Sequence, residues 1–323
     1  MKICIIGCRG HVGYVFQSIN DIPEVDLVAV SSGSDDPVEP LLEMASRAGF
    51  APAVYISWQQ MIDEIAPDLL VVDGPFELHA AMSVYALERG INVFCEKPVA
   101  LTLSDLAKVD EARKKGDAHI ISMVGLRYAP EFLHALELVR SGCIGEVRLI
   151  KAQKSYKLGK RPEFYCHAES YGGTIPWVGS HAFDWVMAFS GSEVDKVWAT
   201  QSSRDNCGHG DLEVACQCMM VMKNSVQAQI SIDYLRPPAS PSHGDDRVRV
   251  AGSCGIIEVA GGKITLLDDD GFKEIPVPAP TRKIFSDYVK SLLNQGACLV
   301  SDAETIALTR ACLEARDSAL NVK

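Results

Sequence analysis

Short, mainly apolar runs alternating with helix-period segments decide what the first third of this chain can fold into. Residues 2–6, 26–30, 69–72, 92–95 and 120–124 lack the every-other-residue polarity of a strand with one wet face. Strands that are apolar on both faces need helices above and below them, which means a parallel, doubly wound sheet. The intervening segments supply the helices. Val12, Val15, Phe16 and Ile19 recur at helical spacing after the first run. Residues 41–48 read as a helix closed by Gly49. Ser57 and Gln60 form a capping-box pattern ahead of Met61, Ile62 and Ile65. A further helix runs to about Arg89 and stops at Gly90, the C′ position. Ser104 opens another that ends near Gly116.

The second half has a different period. Val226, Ala228, Ile230, Ile232 and Tyr234 alternate with Gln227, Gln229, Ser231 and Asp233, the signature of a half-buried antiparallel strand. Residues 146–155, 195–202, 214–222, 247–250, 256–259 and 263–267 read the same way. The turn signals between them are Lys223-Asn224-Ser225, Gly261-Gly262 and Asp269-Asp270-Gly271. The Pro/Ser-rich stretch 237–242 reads as an exposed loop. Ser301 and Glu304 form a second capping box before a helix that runs to about Leu320. Two domains follow, 1–122 and 123–323, with the last helix free to pack back near the first. A chain of 323 residues suits that division.

Composition narrows the function classes. Apolar residues are 47% and charged residues 23%, the balance of a globular protein. The net charge of −11 sets the surface against phosphate backbones and anionic membranes, so nucleic-acid and membrane partners are not expected. No apolar run approaches a membrane span, and Ile3-Cys4-Ile5-Ile6 is too short for a signal-peptide core, which points to the cytoplasm. The 11 cysteines include no Cys-x-x-Cys pair, and Cys4, Cys95, Cys216 and Cys218 lie in apolar strands. Buried free thiols in a reducing compartment explain this better than disulfides. Cys207, His209, Cys216 and Cys218 have a loose zinc-like spacing. Cys216 and Cys218 share a strand face with Val214, Met220 and Met222, so the strand reading is preferred and no metal is assigned.

Between the first strand and helix stands Gly7-Cys8-Arg9-Gly10-His11-Val12-Gly13. Glycines let the backbone come close to phosphates, and unpaired N–H groups at a helix start suit a pyrophosphate. The spacing is Gly-x-x-Gly-x-x-Gly, so dinucleotide binding is inferred from position as well as motif. Strand two ends Val30-Ser31-Ser32-Gly33-Ser34, with Asp35 and Asp36 after it. Hydroxyls such as Ser32, with Arg9 near the adenine or a 2′-phosphate, favour NADP. Asp35 or Asp36 reaching back to the ribose would favour NAD.

Glu96-Lys97-Pro98 follows the fourth apolar run, at the carboxyl edge of the sheet where ligands bind in such folds. A lysine there can orient a substrate hydroxyl or shuttle its proton. Asp73-Gly74-Pro75 and His79 precede it, Arg127-Tyr128-Ala129-Pro130 follows, and residues 142–147 open the second domain. In this order the segments resemble the Gfo/Idh/MocA oxidoreductases, the group that includes glucose–fructose oxidoreductase and inositol dehydrogenases. The resemblance runs through nearly the whole chain. It implies an N-terminal Rossmann domain and a C-terminal α+β domain with a large open, mainly antiparallel sheet. It also implies NAD(P)-dependent hydride transfer to or from a sugar, polyol or related carbinol, and a homodimer or homotetramer built through that sheet. By the same resemblance Gly7, Arg9, Gly10, His11, Val12, Gly13, Ser32, Gly74, Pro75, His79, Glu96 and Lys97 meet the cofactor. Lys97 is implied to be catalytic and substrate-binding, and Pro98 to follow a cis bond.

The stretch 171–184, Tyr171-Gly172-Gly173 through His181 to Asp184, matches the family's second catalytic segment. His181 falls on the catalytic histidine, whose ordinary pKa suits it to take a hydroxyl proton. Asp184, three residues on, lies on the same helical face and could orient the ring. The family's aspartate four residues before that histidine is replaced by Trp177. The basic, aromatic run 156–165 precedes this segment, and Arg127, Tyr165, Tyr171, Trp177 and Asp184 are the expected substrate-binding set with Lys97 and His181. Two rival functions follow from the lost aspartate and from the fold. One is a dinucleotide-binding sensor without turnover. The other is an enzyme that uses its cofactor transiently, for elimination or glycoside cleavage.

Overall fold

The computed structural model describes residues 1–321. The chain divides into two compact units, 1–125 with 282–309 and 126–281 with 310–323. The return of segment 282–309 to the first unit is a feature that no local signal announced.

In the first unit β1 (Lys2–Ile6), β2 (Asp26–Ser31), β3 (Ala53–Tyr55), β4 (Leu69–Val72), β5 (Asn92–Cys95) and β6 (Ile120–Ser122) form one sheet in the order β3-β2-β1-β4-β5-β6. Every pairing is parallel. The chain leaves β1 in one direction and resumes at β4 in the other. The carboxyl ends of β1 and β4 therefore open at a topological switch point, where open α/β sheets bind ligands. Ile3, Ile5, Leu70, Val71, Val93 and Phe94 are fully buried, as strands covered on both faces must be.

Helices cover the sheet much as their sequence signals foretold. Ser57 accepts the Gln60 N–H and caps the helix Trp58–Ile65. Gly90, at φ +74°, ends the turn after His79–Leu87. Two local readings are corrected. The cap of Leu103–Lys115 is Thr102, whose hydroxyl accepts the Asp105 N–H, rather than Ser104. The first helix is a single turn, Gly13–Phe16, followed by a 3₁₀ turn at Ile19–Asp21. Ser18, at φ −147°, leaves helical space between them. Val12, Val15 and Ile19 are all buried, so their spacing recorded burial rather than helix length. Later in the chain both arms of the Ser301–Glu304 box form, and they start the helix Asp302–Leu320.

The second unit holds an eight-stranded sheet of β7 (Val147–Tyr156), β8 (Val194–Ser202), β9 (Ala215–Met222), β10 (Gln227–Asp233), β11 (Gly244–Gly252), β12 (Gly255–Ala260), β13 (Lys263–Asp268) and β14 (Gly271–Ile275). Its order is β14-β13-β12-β11-β7-β10-β9-β8. The strand expected to be antiparallel, β10, is so toward β9 but runs parallel to β7. All other pairs are antiparallel. Cys216, Cys218, Met220 and Met222 are buried on the inner face, while Met219 on the outer face is 65% exposed. The fully buried helix Ser180–Ser190 lies against β7, and its Trp185 stacks on Phe132 of the helix Pro130–Arg140 at 4.0 Å. All 11 cysteines are unbridged, and Cys4, Cys95, Cys216 and Cys218 are buried.

Candidate active site

The glycine loop is shaped by close approach. Gly7 has φ +75°, and a Cβ on it would collide with the Gly74 backbone after β4. A Cβ on Gly10 would lie 2.5 Å from Glu96 Oε2 and 2.7 Å from Asp73 Oδ1. Gly13 faces open space and has no such need. The loop amides converge on anionic oxygen. Gly10 N donates to Asp73 Oδ1 at 2.8 Å and Val12 N to Asp73 Oδ2 at 2.7 Å. His11 N donates to Glu96 Oε2 at 2.6 Å, and His11 Nδ1 lies 2.7 Å from the same oxygen. Arg9 N donates to the Asp73 carbonyl.

The donor set is thus built for an anion, which fits a dinucleotide's phosphates. In this structure the anion is the chain's own. The sequence reading expected unpaired amides here and named no role for Asp73. The signal was present: an aspartate directly after the four buried apolar residues of β4 is costly unless it has donors. Burial and the neighbouring Glu96 charge push Asp73 well above the ordinary aspartate range, against the pull of its two amides and Lys97. Burial works to raise Glu96 as well, but His11, Lys97 and His79 overcome it and Glu96 is held below its ordinary value.

Glu96 also links the loop to the expected catalytic lysine. Its Oε1 accepts the Lys97 N–H at 2.7 Å and lies 3.9 Å from Lys97 Nζ. Lys97 is only 3% exposed, and Lys97-Pro98 is cis. His79 is buried with Nδ1 2.9 Å from the Pro98 carbonyl and Nε2 3.1 Å from that of Gly74, so it ties two sheet-edge loops together. Burial lowers its pKa. Pro75 begins the turn that leads to His79. At the end of β2, Arg9 Nε donates to Asp36 at 2.5 Å, and this bond holds Asp36 below the ordinary range. Ser32 Oγ donates to the Ser34 carbonyl, and Ser34 Oγ accepts the Asp36 N–H.

The second unit carries the other expected residues. The segment Ile175–Gly179 is a π-helical turn that runs directly into Ser180–Ser190. Its close seat on β10 explains Gly179, since a Cβ there would lie 2.5 Å from Ile232. Such turns re-aim side chains within a helix. Trp177 and His181 stand on it or just after it, both buried. Tyr165 lies 6.1 Å from the Trp177 ring and 5.6 Å from Tyr171. Tyr171 donates its hydroxyl to the buried Glu213, which also accepts the Thr174 N–H. Burial first, and then Glu213, raise the Tyr171 pKa, so its phenol stays protonated. Asp184, expected to orient His181, accepts two hydrogen bonds from Arg127: Nη2 at 2.5 Å and Nε at 3.0 Å. Glu213 was not foreseen, because its partners lie about forty residues away in sequence.

Residues 1–124 match the model of an oxidoreductase family with an NAD-binding Rossmann fold, and residues 132–258 match the Gfo/Idh/MocA C-terminal domain. The chain belongs to the Gfo/Idh/MocA oxidoreductase family. A solved chain from Thermotoga maritima, provisionally assigned as an oxidoreductase, is 40% identical, with 100% of this chain and 99% of that one covered and a TM-score of 0.96. The myo-inositol 2-dehydrogenase of Thermotoga maritima is 27% identical over 279 residues, 84% of this chain and 79% of its own length. A levoglucosan dehydrogenase solved with NADH and L-sorbose shares the fold at a TM-score of 0.82, covering 99% of this chain and 97% of its own at 18% identity. Like the rest of the Gfo/Idh/MocA family, this chain pairs an NAD-binding first domain with a large-sheet second domain. Among its described residues no helix is long and apolar enough to cross a membrane.

Proposed function

We propose that this Gfo/Idh/MocA chain is an NAD-dependent dehydrogenase of a secondary alcohol on a sugar- or polyol-sized molecule, working in the cytosol. One observation carries the reading. A single buried carboxylate, Glu96, holds both the glycine-loop amide of His11 and the backbone of Lys97, so the cofactor loop and the lysine are set by the same group. A bound nicotinamide dinucleotide supplies the hydride acceptor. Lys97 donates a hydrogen bond to the carbinol oxygen and fixes it. His181 takes the hydroxyl proton as the C–H bond breaks, which leaves the carbonyl product. Tyr165, Tyr171 and Trp177 form an apolar wall, with Trp177 excluding water where the family pattern has an acid.

NAD is favoured over NADP. Asp36 takes the Arg9 guanidinium and the hydroxyls of Ser32 and Ser34 are engaged in their own turn, so the donors that would favour a 2′-phosphate are already held and a carboxylate stands among them. We propose further that two copies pair through the outer face of the second sheet. The test of the dehydrogenase reading is a panel of polyols, sugars and sugar acids with each coenzyme, followed by reduced-cofactor absorbance. Net reduction with NAD supports it. Tight binding of cofactor without reduction on any member favours the sensor, and product formation without net reduction favours transient use.

A further inference from the structure

The basic run before Tyr165 contains an arginine whose setting is unlike that of the chain's ion-paired arginines. Arg161 Nε donates to the Leu158 carbonyl at 2.8 Å and Nη2 to the Lys157 carbonyl at 3.1 Å. These two bonds fix the plane of the guanidinium and leave Nη1 without a partner among the described residues. The group stands 4.7 Å from the centroid of the Tyr234 ring and 5.8 Å from that of Tyr165. Arg127 and Arg9, by contrast, each hold an aspartate. In a chain with eleven more acidic than basic side chains, a half-buried arginine with no carboxylate partner is a cation kept available.

Its surroundings reinforce the charge. Lys157 Nζ donates to the Ser240 carbonyl and has no ion-pair partner among the described residues, while Lys154 is matched by Asp246 at 2.6 Å. Three cations therefore face one carboxylate. The effect is visible at His243, which burial first and then Arg161, Lys157 and Lys154 hold below the ordinary histidine range. The oxygens of Glu213 are taken by Tyr171 and Thr174, and it makes no ion pair with Arg161 among the described residues. Tyr234 is 3% exposed, its hydroxyl has no partner among the described residues, and its ring lies beneath the cation as a platform. The same ring system leads from Arg161 through Tyr165 to Trp177, one turn before His181. A fixed, planar donor at one end of the wall and the proposed base at the other define a ligand with an anionic end and a carbinol.

We propose that Arg161 binds a carboxylate of the substrate, so that the alcohol oxidised belongs to a sugar acid rather than a neutral polyol. Arg161 is a specificity residue: it meets the substrate away from the reacting carbon. The inference rests on the dehydrogenase reading above. Guanidinium is suited to carboxylate by its flat, forked donor geometry, and a charge-assisted contact of this kind is worth about 30- to 100-fold in affinity.

The experiment compares matched pairs differing only at one carbon, D-gluconate with D-glucitol and D-glucuronate with D-glucose. Calorimetric binding to the NADH-saturated protein is measured alongside kcat and KM with NAD. The wild type is expected to bind and oxidise the acid of a pair in preference to its neutral partner. Arg161→Met should raise KM for the acid about 30- to 100-fold with kcat nearly kept, and leave the neutral member unchanged. Arg161→Lys should keep part of the preference, which excludes a folding defect as the cause. Preference for the neutral members, equal loss on both members of a pair, or no binding of either acid overturns the inference. Net NADH formation by the wild type on the neutral members with none on their acids overturns it while leaving the dehydrogenase reading intact. Failure of the wild type to bind either coenzyme overturns both.

Discussion

Replacing Asp73 by alanine should tighten NAD binding. Both of its carboxylate oxygens are occupied by the loop amides of Gly10 and Val12, which are the donors a diphosphate needs. When a phosphate takes those amides, the ionised Asp73 remains as a like charge close by. At an effective dielectric of about 20 and a separation of about 5 Å, the repulsion is on the order of 3 kcal/mol. Against this, alanine removes two hydrogen bonds that organise the loop, about 1 kcal/mol each of pre-organisation at most. The net gain is about 1–2 kcal/mol, or roughly tenfold in Kd. The pH dependence has a definite sign. Asp73 is raised by burial and by Glu96, so it becomes neutral as pH falls through that raised value and the repulsion disappears. Wild-type affinity should therefore rise as pH falls, with proton uptake on binding, and Asp73→Ala should be both tighter and flatter. Calorimetry with NAD over a pH series reads both. A weaker alanine variant together with a pH-independent wild type would refute the reasoning, because Asp73 would then hold the loop in its binding shape rather than compete for it.

Other perturbations act on the remaining parts of the account. Lys97→Met should lower kcat by two or more orders of magnitude, on the scale of a lost proton-handling group, while NAD affinity measured by calorimetry changes little. His181→Ala should lose at least ~100-fold in kcat, and the fall in rate on the acidic side should flatten, since no base remains to be protonated there. On the outer sheet face Trp198 and Met219 are register neighbours, 55% and 65% exposed, so Trp198→Glu with Met219→Glu should convert a dimer into a monomer in sedimentation at micromolar concentration. Phe132→Ala, which empties the stack on Trp185, should cost about 3–4 kcal/mol in denaturant unfolding.

What the sequence disclosed and what it hid differ by range. Local patterns of apolar and polar residues located the strands of both sheets except β3 and β14, together with the Ser57 cap and the Ser301–Glu304 box. The first helix was overestimated because Val12, Val15 and Ile19 point inward from two separate turns, and a spacing cannot tell one helix from two. The loop's internal anion was hidden for another reason. Gly10 meets Asp73 across 63 residues and His11 meets Glu96 across 85, and only the switch between β1 and β4 brings them together. Asp184 was read by helical spacing from His181, and its bonds to Arg127, which cross 57 residues, were not foreseen. Arg161 stood in a run noted for charge. Its proposed role rests on its having no carboxylate partner among the described residues, which only the folded chain defines.

The central claim is net hydride transfer from an alcohol to NAD, with Lys97 and His181 handling its oxygen and proton. Its most direct test is the stoichiometry of NADH formed to alcohol consumed by the wild type on the best member of the substrate panel, with His181→Ala run beside it. The account predicts one NADH per carbonyl product and loss of both together in the variant. Product released with no net NADH, or full NADH formation by His181→Ala, would contradict it.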